Sequence, residues 1–336
     1  MSDVRVALIG CGGMGRSLVD QLITVEGAAL VAGVDPFEAA RESFTAAYSV
    51  PAFASIEDLL GSSVEIDGVI VATPNDGHAP NTIAAAAAGK HVFCEKPMSL
   101  TIGACKSMID ACKQAGVKLQ IGQVLRYLPD FDFALKMIAD GDLGTPLHGT
   151  IFRYSGPREE WGGDTWRDQP ERVGHYIFEV SVHEIDFARC VFGKPVAVTG
   201  WDIAFNPEIP LWAQATTGVL EFEIGAICVL TGGMFNPIGR SEVEVSGTGG
   251  AIRFHWGADF VYKSLCGKED FEKTGAEIGE GVENGVRREV REWVEAIAND
   301  TPCTIPGEQG MANIELALAI LESSKRRERI VLPLEG

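Results

Sequence analysis

Lys96 lies in the run His91-Val92-Phe93-Cys94-Glu95-Lys96-Pro97, where an apolar stretch ends on two charged residues and a proline. Removing hydride from a carbinol carbon leaves a hydroxyl proton to be handled, and enzymes give that task to a positioned base, often His or Lys. Taken alone, Lys96 reads as a surface lysine at a strand end. Pro97 shifts the balance, because the residue before a proline is restricted to an extended backbone. The side chain is then aimed from the edge of a sheet and not wound into a helix.

A second group lies downstream in Gly174-His175-Tyr176-Ile177-Phe178-Glu179-Val180-Ser181-Val182-His183-Glu184-Ile185-Asp186. In a regular helix Glu179, His183 and Asp186 fall on one face, at i, i+4 and i+7. A carboxylate beside an imidazole sets its tautomer and proton affinity, so His183 with Glu179 is a candidate proton-handling pair. The bland reading is a solvated amphipathic face. The flanking Ile177, Phe178, Val182, Ile185 and Phe187 make the helix largely buried and weaken it. A metal held by Glu179, His183 and Asp186 is disfavoured, because no further His or Cys has ligand spacing to complete the set; no metal is expected.

Both groups need a cofactor to serve, and the N-terminus offers one a seat. Gly10-Cys11-Gly12-Gly13-Met14-Gly15 fits G-x-G-x-x-G between a strand, Val4–Ile9, and a helix, the context the motif requires. Gly10 allows the tight turn, Gly12 the close approach of a diphosphate, and Gly15 the packing of helix on sheet. Gly13 and Met14 contribute first-turn N–H groups to an anion at the helix N-terminus. Asp35 ends the second strand at the spacing of a ribose-binding carboxylate. It would accept from ribose hydroxyls and repel a 2′-phosphate. Pro36 and Phe37 follow it with no arginine, so NAD is expected over NADP. The competing role for Asp35 is to cap the next helix.

Thr73, Asn75 and His78 follow an apolar strand at residues 66–72, and loops at the carboxyl ends of parallel strands line the ligand crevice. Asn75 and His78 read equally as cofactor contacts or as helix-capping neighbours. Glu95 shares the strand end with Lys96. Trp161, Trp166 and Arg167 stand in a loop-like stretch and would wall a polyol pocket or pack the domain.

The elements that must position these residues fall into two patterns. Up to about residue 125, strands at 4–9, 29–34, 66–72, 91–94 and 118–122 alternate with helices at 14–25, 36–48, 79–88 and 99–115. That alternation marks a doubly wound parallel sheet with crossover helices. After a helix at 131–139, strand-like stretches at 147–154, 197–205, 216–222, 226–232, 242–246 and 251–255 surround one helical stretch, 176–191. Helices at 287–298 and 308–322 close the chain. The expectation is a dinucleotide-binding domain at 1–125 and an α+β domain at 126–336 with an open, mostly antiparallel sheet.

Composition bounds the partners. The chain has 336 residues, is 46% hydrophobic and carries a formal charge of −19. A length of that order suggests two domains of roughly 150 residues. Such a surface repels phosphate backbones and anionic lipid, so nucleic acid and membrane are disfavoured as partners. The first ten residues do not read as an export signal, and nothing approaches the ~18 apolar residues of a membrane span. Eight scattered cysteines without a CxxC pair read as reduced thiols in a cytoplasmic protein.

In combination, these residues resemble the Gfo/Idh/MocA oxidoreductases, of the glucose–fructose oxidoreductase and inositol 2-dehydrogenase types. The resemblance spans nearly the whole chain. It is carried by GCGGMG, the strand-end Asp35, Thr73-Pro74-Asn75 with His78, Gly89-Lys90-His91-Val92, Glu95-Lys96-Pro97, Gly144-Thr145-Pro146, Trp166-Arg167 and His183-x-x-Asp186. It implies a Rossmann domain and an open-sheet domain that forms a dimer or tetramer face. It also implies a sugar or polyol substrate, Lys96 as the catalytic lysine, His183 near the substrate oxygen, and Arg126 lining the cleft. Two departures alter the implied pocket. Many members carry an aspartate where this chain has Glu179, and their Gly-Gly-Gly is here Val173-Gly174-His175. A hydrolase-like use of retained NAD, a dihydrodiol- or bile-pigment-type reductase and a non-catalytic NAD-binding regulator are the alternative readings.

Overall fold

The computed structural model describes residues 3–156, 166–203, 215–267 and 269–334. The chain forms two compact units, Met1–Gln123 with Val286–Ile314, and Val124–Gly285 with Glu315–Gly336. It therefore does not divide at a single cut near residue 125. The helix Gly285–Ala298 contributes Val290, Trp293 and Val294 to the first unit's core, beside Val6, Leu8, Leu18, Ile70 and Phe93. Its apolar stripe has the period of any amphipathic helix. The sequence thus shows that it packs, but not on which unit.

In the first unit six strands, β1 (Val4–Ile9), β2 (Ala28–Val34), β3 (Ala52–Phe53), β4 (Gly68–Val71), β5 (His91–Cys94) and β6 (Leu119–Ile121), form a parallel sheet in the order β3-β2-β1-β4-β5-β6. This is the doubly wound order, and its strand order reverses between β1 and β4. Ligands of such sheets bind outside the carboxyl ends at that reversal. β4 is buried throughout and β5 nearly so, which is why both read as continuous apolar runs. Gly89, at φ +71°, follows the C-cap of the alanine-rich helix His78–Ala87, the left-handed position that glycine occupies without steric cost.

Two expectations shift. The second helix starts at Glu38, with Phe37 as its N-cap, so Pro36 lies outside its first turn. The reason is local: the Asp35 carboxylate accepts the Phe37 N–H at 2.9 Å and turns the chain before the helix can start. The short β3 and the helix Ile56–Leu60, capped by Ser55, were too brief to show a period.

The second unit holds nine strands among the described residues: β7 (Pro146–Tyr154), β8 (Pro195–Ile203), β9 (Ala215–Phe222), β10 (Ile227–Gly233), β11 (Arg240–Gly247), β12 (Gly250–His255), β13 (Asp259–Ser264), β14 (Phe271–Thr274) and β15 (Ile330–Val331). Their order is β14-β13-β12-β11-β7-β10-β9-β8-β15. Among these pairings β7–β10 is parallel and the others are antiparallel. β13, β14 and β15 are absent from the sequence reading; β14 and β15 are two to four residues long. Phe131, Phe187, Phe254 and Trp256 meet edge to face on one side of this sheet, with ring centroids 5.0 to 5.2 Å from Phe131 to Phe187, Phe254 and Trp256. On β8, Gly200 leaves room for Ile320 of the helix Gly307–Arg326; a Cβ there would sit 2.3 Å from the Ile320 carbonyl oxygen.

The stretch read as one helix over 176–191 is two pieces. Ile177–Ser181 is a π-helical turn and Val182–Phe192 is α-helical. A π turn inserts an extra residue, so the residues ahead of it slip in phase relative to the α-helix behind it. The i, i+4, i+7 face expected for Glu179, His183 and Asp186 is therefore not that of a regular helix.

Candidate active site

The first unit assembles the expected dinucleotide seat at the carboxyl ends of β1 and β2. Gly10 has φ +101°, and a Cβ on it would lie 2.5 Å from the Ala72 carbonyl oxygen beyond β4. A Cβ on Gly15 would meet the Gly10 carbonyl oxygen at 2.0 Å, so the helix Gly13–Leu22 approaches the turn as only glycine allows. Around the would-be Cβ atoms of Gly12 and Gly13 there is open space to 4 Å. Gly12 is the N-cap and brings no side-chain acceptor, so the first-turn N–H groups are left for an external anion. Met14 is exposed beside them. These features fit the diphosphate of a dinucleotide.

Asp35 is buried at the end of β2. One carboxylate oxygen accepts the Cys11 N–H at 3.0 Å and the other the Phe37 N–H at 2.9 Å. A carboxylate has about four acceptor positions, so ribose hydroxyls can still be received. The same residue thus holds the glycine turn, starts the next helix and keeps acceptor capacity. The thiol of Cys11 is pushed up to about 12, chiefly by burial and then by Asp35, so it stays protonated and packs.

Two arginines that the sequence reading passed over stand at this seat. Arg16 donates to the Cys11 carbonyl at 3.0 Å, and Arg41 to the carbonyls of Asp35 and Pro36 at 2.9 Å each. They place positive charge around the turn in a chain of net charge −19. Arg16 directly follows Gly15, a signal that was readable. Arg41 is brought back by the helix that starts at Glu38, so the residues right after Asp35 do not reveal it.

Thr73, Asn75 and His78 lie in the loop and 3-10 turn after β4. His78 is buried, and its ring nitrogens face two carbonyls, Nδ1 toward Pro97 at 2.7 Å and Nε2 toward Thr73 at 3.0 Å. It braces the loop after β4 against the residue after Lys96. Asn75 is buried beside it, and Thr73 donates to the Pro74 carbonyl.

Lys96 is half-buried just past β5, and its peptide bond to Pro97 is cis. Glu95 anchors it twice. The Glu95 N–H donates to the Val71 carbonyl at 2.9 Å, extending the β4–β5 ladder, and the Glu95 carboxylate accepts the Lys96 N–H at 3.0 Å. Lys96 therefore stands at the carboxyl edge of the parallel sheet on a fixed backbone.

The second unit gathers the other group. Glu179, in the π turn, and His183, in the first turn of the following helix, are both buried. Arg167 directs Nε and Nη2 to one Glu179 oxygen at 3.1 and 2.8 Å, and its guanidinium lies over the Trp166 ring at 4.2 Å. Trp166 packs on Val173, Tyr176, Val180 and Met234. Trp161 lies outside the described residues. Arg126 clamps Asp186 bidentately at 2.5 and 2.6 Å. Burial works against its charge, but the hydrogen bonds and charge of Asp186 outweigh it and raise the Arg126 pKa. Glu179 and Asp186 thus serve two different arginines. Among the described residues, no three metal-capable side chains are grouped to hold an ion.

The chain as a whole has known relatives. The N-terminal model of the GFO/IDH/MocA family, described as an oxidoreductase family with an NAD-binding Rossmann fold, matches residues 4–123, and the family's C-terminal domain matches 131–253. The 2,7-anhydro-N-acetylneuraminate hydratase of Mediterraneibacter gnavus is 32% identical over 62% of this chain and 55% of its own length. The scyllo-inositol 2-dehydrogenase (NAD(+)) of Bacillus subtilis is 30% identical over 74% of this chain and 73% of its own. The WlbA dehydrogenase of Bordetella pertussis, solved with NADH and UDP-GlcNAcA, superposes with a TM-score of 0.88 over 99% of each chain at 22% identity. The chain belongs to the GFO/IDH/MocA oxidoreductase family, with the NAD-binding domain and the C-terminal domain in the family's order.

Proposed function

We propose that the protein is an NAD-dependent dehydrogenase or reductase acting on a secondary alcohol or ketone of a sugar, polyol or inositol-like compound. The observation that carries this is Lys96, held on a fixed backbone at the carboxyl edge of the parallel sheet whose first turn is an open glycine cradle. Residues 10–15 would hold the diphosphate and Asp35 the adenosine ribose. When bound, the nicotinamide supplies or receives hydride at the substrate carbon.

The side chains of the protein handle what remains. Lys96 takes the hydroxyl proton in the oxidising direction and returns it in the other. His183 polarises the substrate oxygen, and Glu179, steadied by Arg167, keeps that imidazole and the substrate hydroxyls oriented. Arg126 acts through Asp186, keeping the helix that bears His183 in register, and Trp166 with Arg167 forms a wall of the sugar pocket. Asn75, Thr73 and His78 keep the loop beside the cofactor in shape. The working unit is a homodimer or homotetramer in the cytoplasm. A screen of sugars, inositols and their keto forms, followed at the reduced-nicotinamide absorbance with NAD and NADP in parallel, tests the reading. No substrate-dependent change with any of them counts against it.

NAD is the preferred cofactor, since the Asp35 carboxylate and a 2′-phosphate repel each other. Asp35→Ala is expected to weaken NAD binding about tenfold, as the loss of a charge-assisted hydrogen bond implies. It should narrow the gap to NADP by a similar factor, because Arg16 and Arg41 remain nearby. Fluorescence titrations with NADH and NADPH measure both numbers; an unaltered ratio removes Asp35 from the selection.

The hydratase relative supports a second reading. There the cofactor would stay bound and be restored within each turnover, so product would accumulate without net change in nicotinamide. Chromatographic product analysis alongside the absorbance trace separates the two.

A further inference from the structure

The helix Gly285–Ala298 carries a carboxyl group that the proposed chemistry does not use. Glu289 is 1% exposed, and its Oε2 has no hydrogen-bond partner among the described residues. Its carboxyl accepts the Gln123 N–H, and its backbone carbonyl accepts Gln120 Nε2 at 2.9 Å. Both contacts come from β6 and the residues after it. Glu95 reaches the same place from β5: a Cβ on Gly122 would lie 3.4 Å from the Glu95 carboxyl carbon. Two carboxyl groups therefore converge on the Gly122–Gln123 backbone, and Glu95 is also the residue that holds the Lys96 amide.

Two buried carboxylates so placed do not both ionise readily. A charge taken from water without a partner is costly, and a like charge nearby adds to the cost. For Glu289 both effects act in the same sense. Burial first, then the charge of Glu95, raises its proton affinity well above the ordinary glutamate range, with Glu292 adding a little and the Gln123 N–H opposing. Each carboxyl has one backbone amide donor, but Glu95 is 8% exposed against 1% for Glu289, so burial weighs more heavily on Glu289.

We propose that Glu289 is a positioning residue, a buried carboxyl group that backs Glu95 and thereby fixes the Glu95–Lys96 segment. The proposal rests on the reading of Lys96 as the proton-handling residue. Glu289 stays neutral so that one negative charge, not two, lies behind the lysine, and its bulk keeps Glu95 from swinging away from the Lys96 amide.

Three measurements on the full chain test this. In infrared spectra at about pH 7, the wild type shows a protonated-carboxyl carbonyl band that Glu289→Gln lacks. In unfolding against pH, the sign is set by linkage. The folded state binds a proton at Glu289 that the unfolded state releases above the ordinary glutamate range, so wild-type stability falls as pH rises through that window. Glu289→Gln escapes the fall, and its advantage in folding equilibrium grows by a factor approaching about ten per pH unit until the folded carboxyl ionises. Third, NADH titrated by fluorescence binds Glu289→Gln within about threefold of wild type and Glu289→Ala at least about tenfold more weakly, a difference of roughly one decade in affinity. The absence of the band in wild type, its survival in Glu289→Gln, parallel stability curves, or equal NADH affinities for the Ala and Gln variants each overturn the proposal. An active Lys96→Ala variant removes the lysine's role instead and leaves the infrared result standing, so the two failures are distinguishable.

Discussion

Lys96→Ala is expected to lower kcat by about 10² to 10⁴, the range associated with a positioned general acid or base. NADH affinity should stay close to that of the wild type. The backbone at this point is held by the Glu95 N–H on the Val71 carbonyl and the Lys96 N–H on the Glu95 carboxylate, neither of which uses the lysine side chain. Removing that side chain therefore takes away chemistry and leaves the sheet in place. Lys96→Arg keeps the positive charge but not a usable base, since guanidinium does not deprotonate in proteins, and should be nearly as slow. Steady-state rates with the best substrate from the screen, together with NADH titration, measure the two effects separately. A Lys96→Ala rate within about tenfold of wild type means that protons leave by another group and that the proposed division of labour is wrong.

Arg126→Met is expected to destabilise the second unit by about 3 to 5 kcal/mol, the cost of removing one partner of a buried ion pair. Asp186 is 0% exposed and receives Arg126 in two charge-assisted bonds, so its carboxylate would lose its guanidinium where water does not reach it. Exposed pairs on the same protein, such as Lys194 with Glu223, contribute far less, of the order of 0 to 1 kcal/mol. Pairing Arg126→Met with Asp186→Leu should recover much of the loss, because the buried carboxylate goes with its guanidinium. Denaturant unfolding of the single and double variants gives the comparison. A loss below about 1 kcal/mol for Arg126→Met shows that Asp186 finds other support. The consequence reaches function, since Asp186 lies on the same helix as His183.

Much of the first unit was readable because its signals are short-range. A glycine turn between strand and helix is specified within a dozen residues, and a strand buried on both faces announces itself as an apolar run. β1 and β5 have the expected boundaries, and most others differ by one or two residues. The mixed sheet of the second unit was legible as alternation, though two of the three missed strands, β14 and β15, have four residues or fewer. The site was legible as a set of residue types. Its internal pairing was not, because Glu179 and Asp186 were assigned to one helical face and the π turn over Ile177–Ser181 breaks that face. A single inserted residue leaves no mark in hydrophobic periodicity when, as here, all five residues of the turn are buried.

By itself the sequence determined the order of the elements, the glycine cradle, and the strand-end stations of Asp35, Glu95 and Lys96, since each depends on neighbours a few residues away. The tertiary structure alone decided which charges are matched. It joined Arg126 to Asp186 across sixty positions, returned Arg41 to the Asp35 backbone, and set Glu289 behind Glu95 from a helix near the far end of the chain. The physical reason is that burial and Coulomb energy are functions of distance in space, and no local pattern of residue types carries that distance.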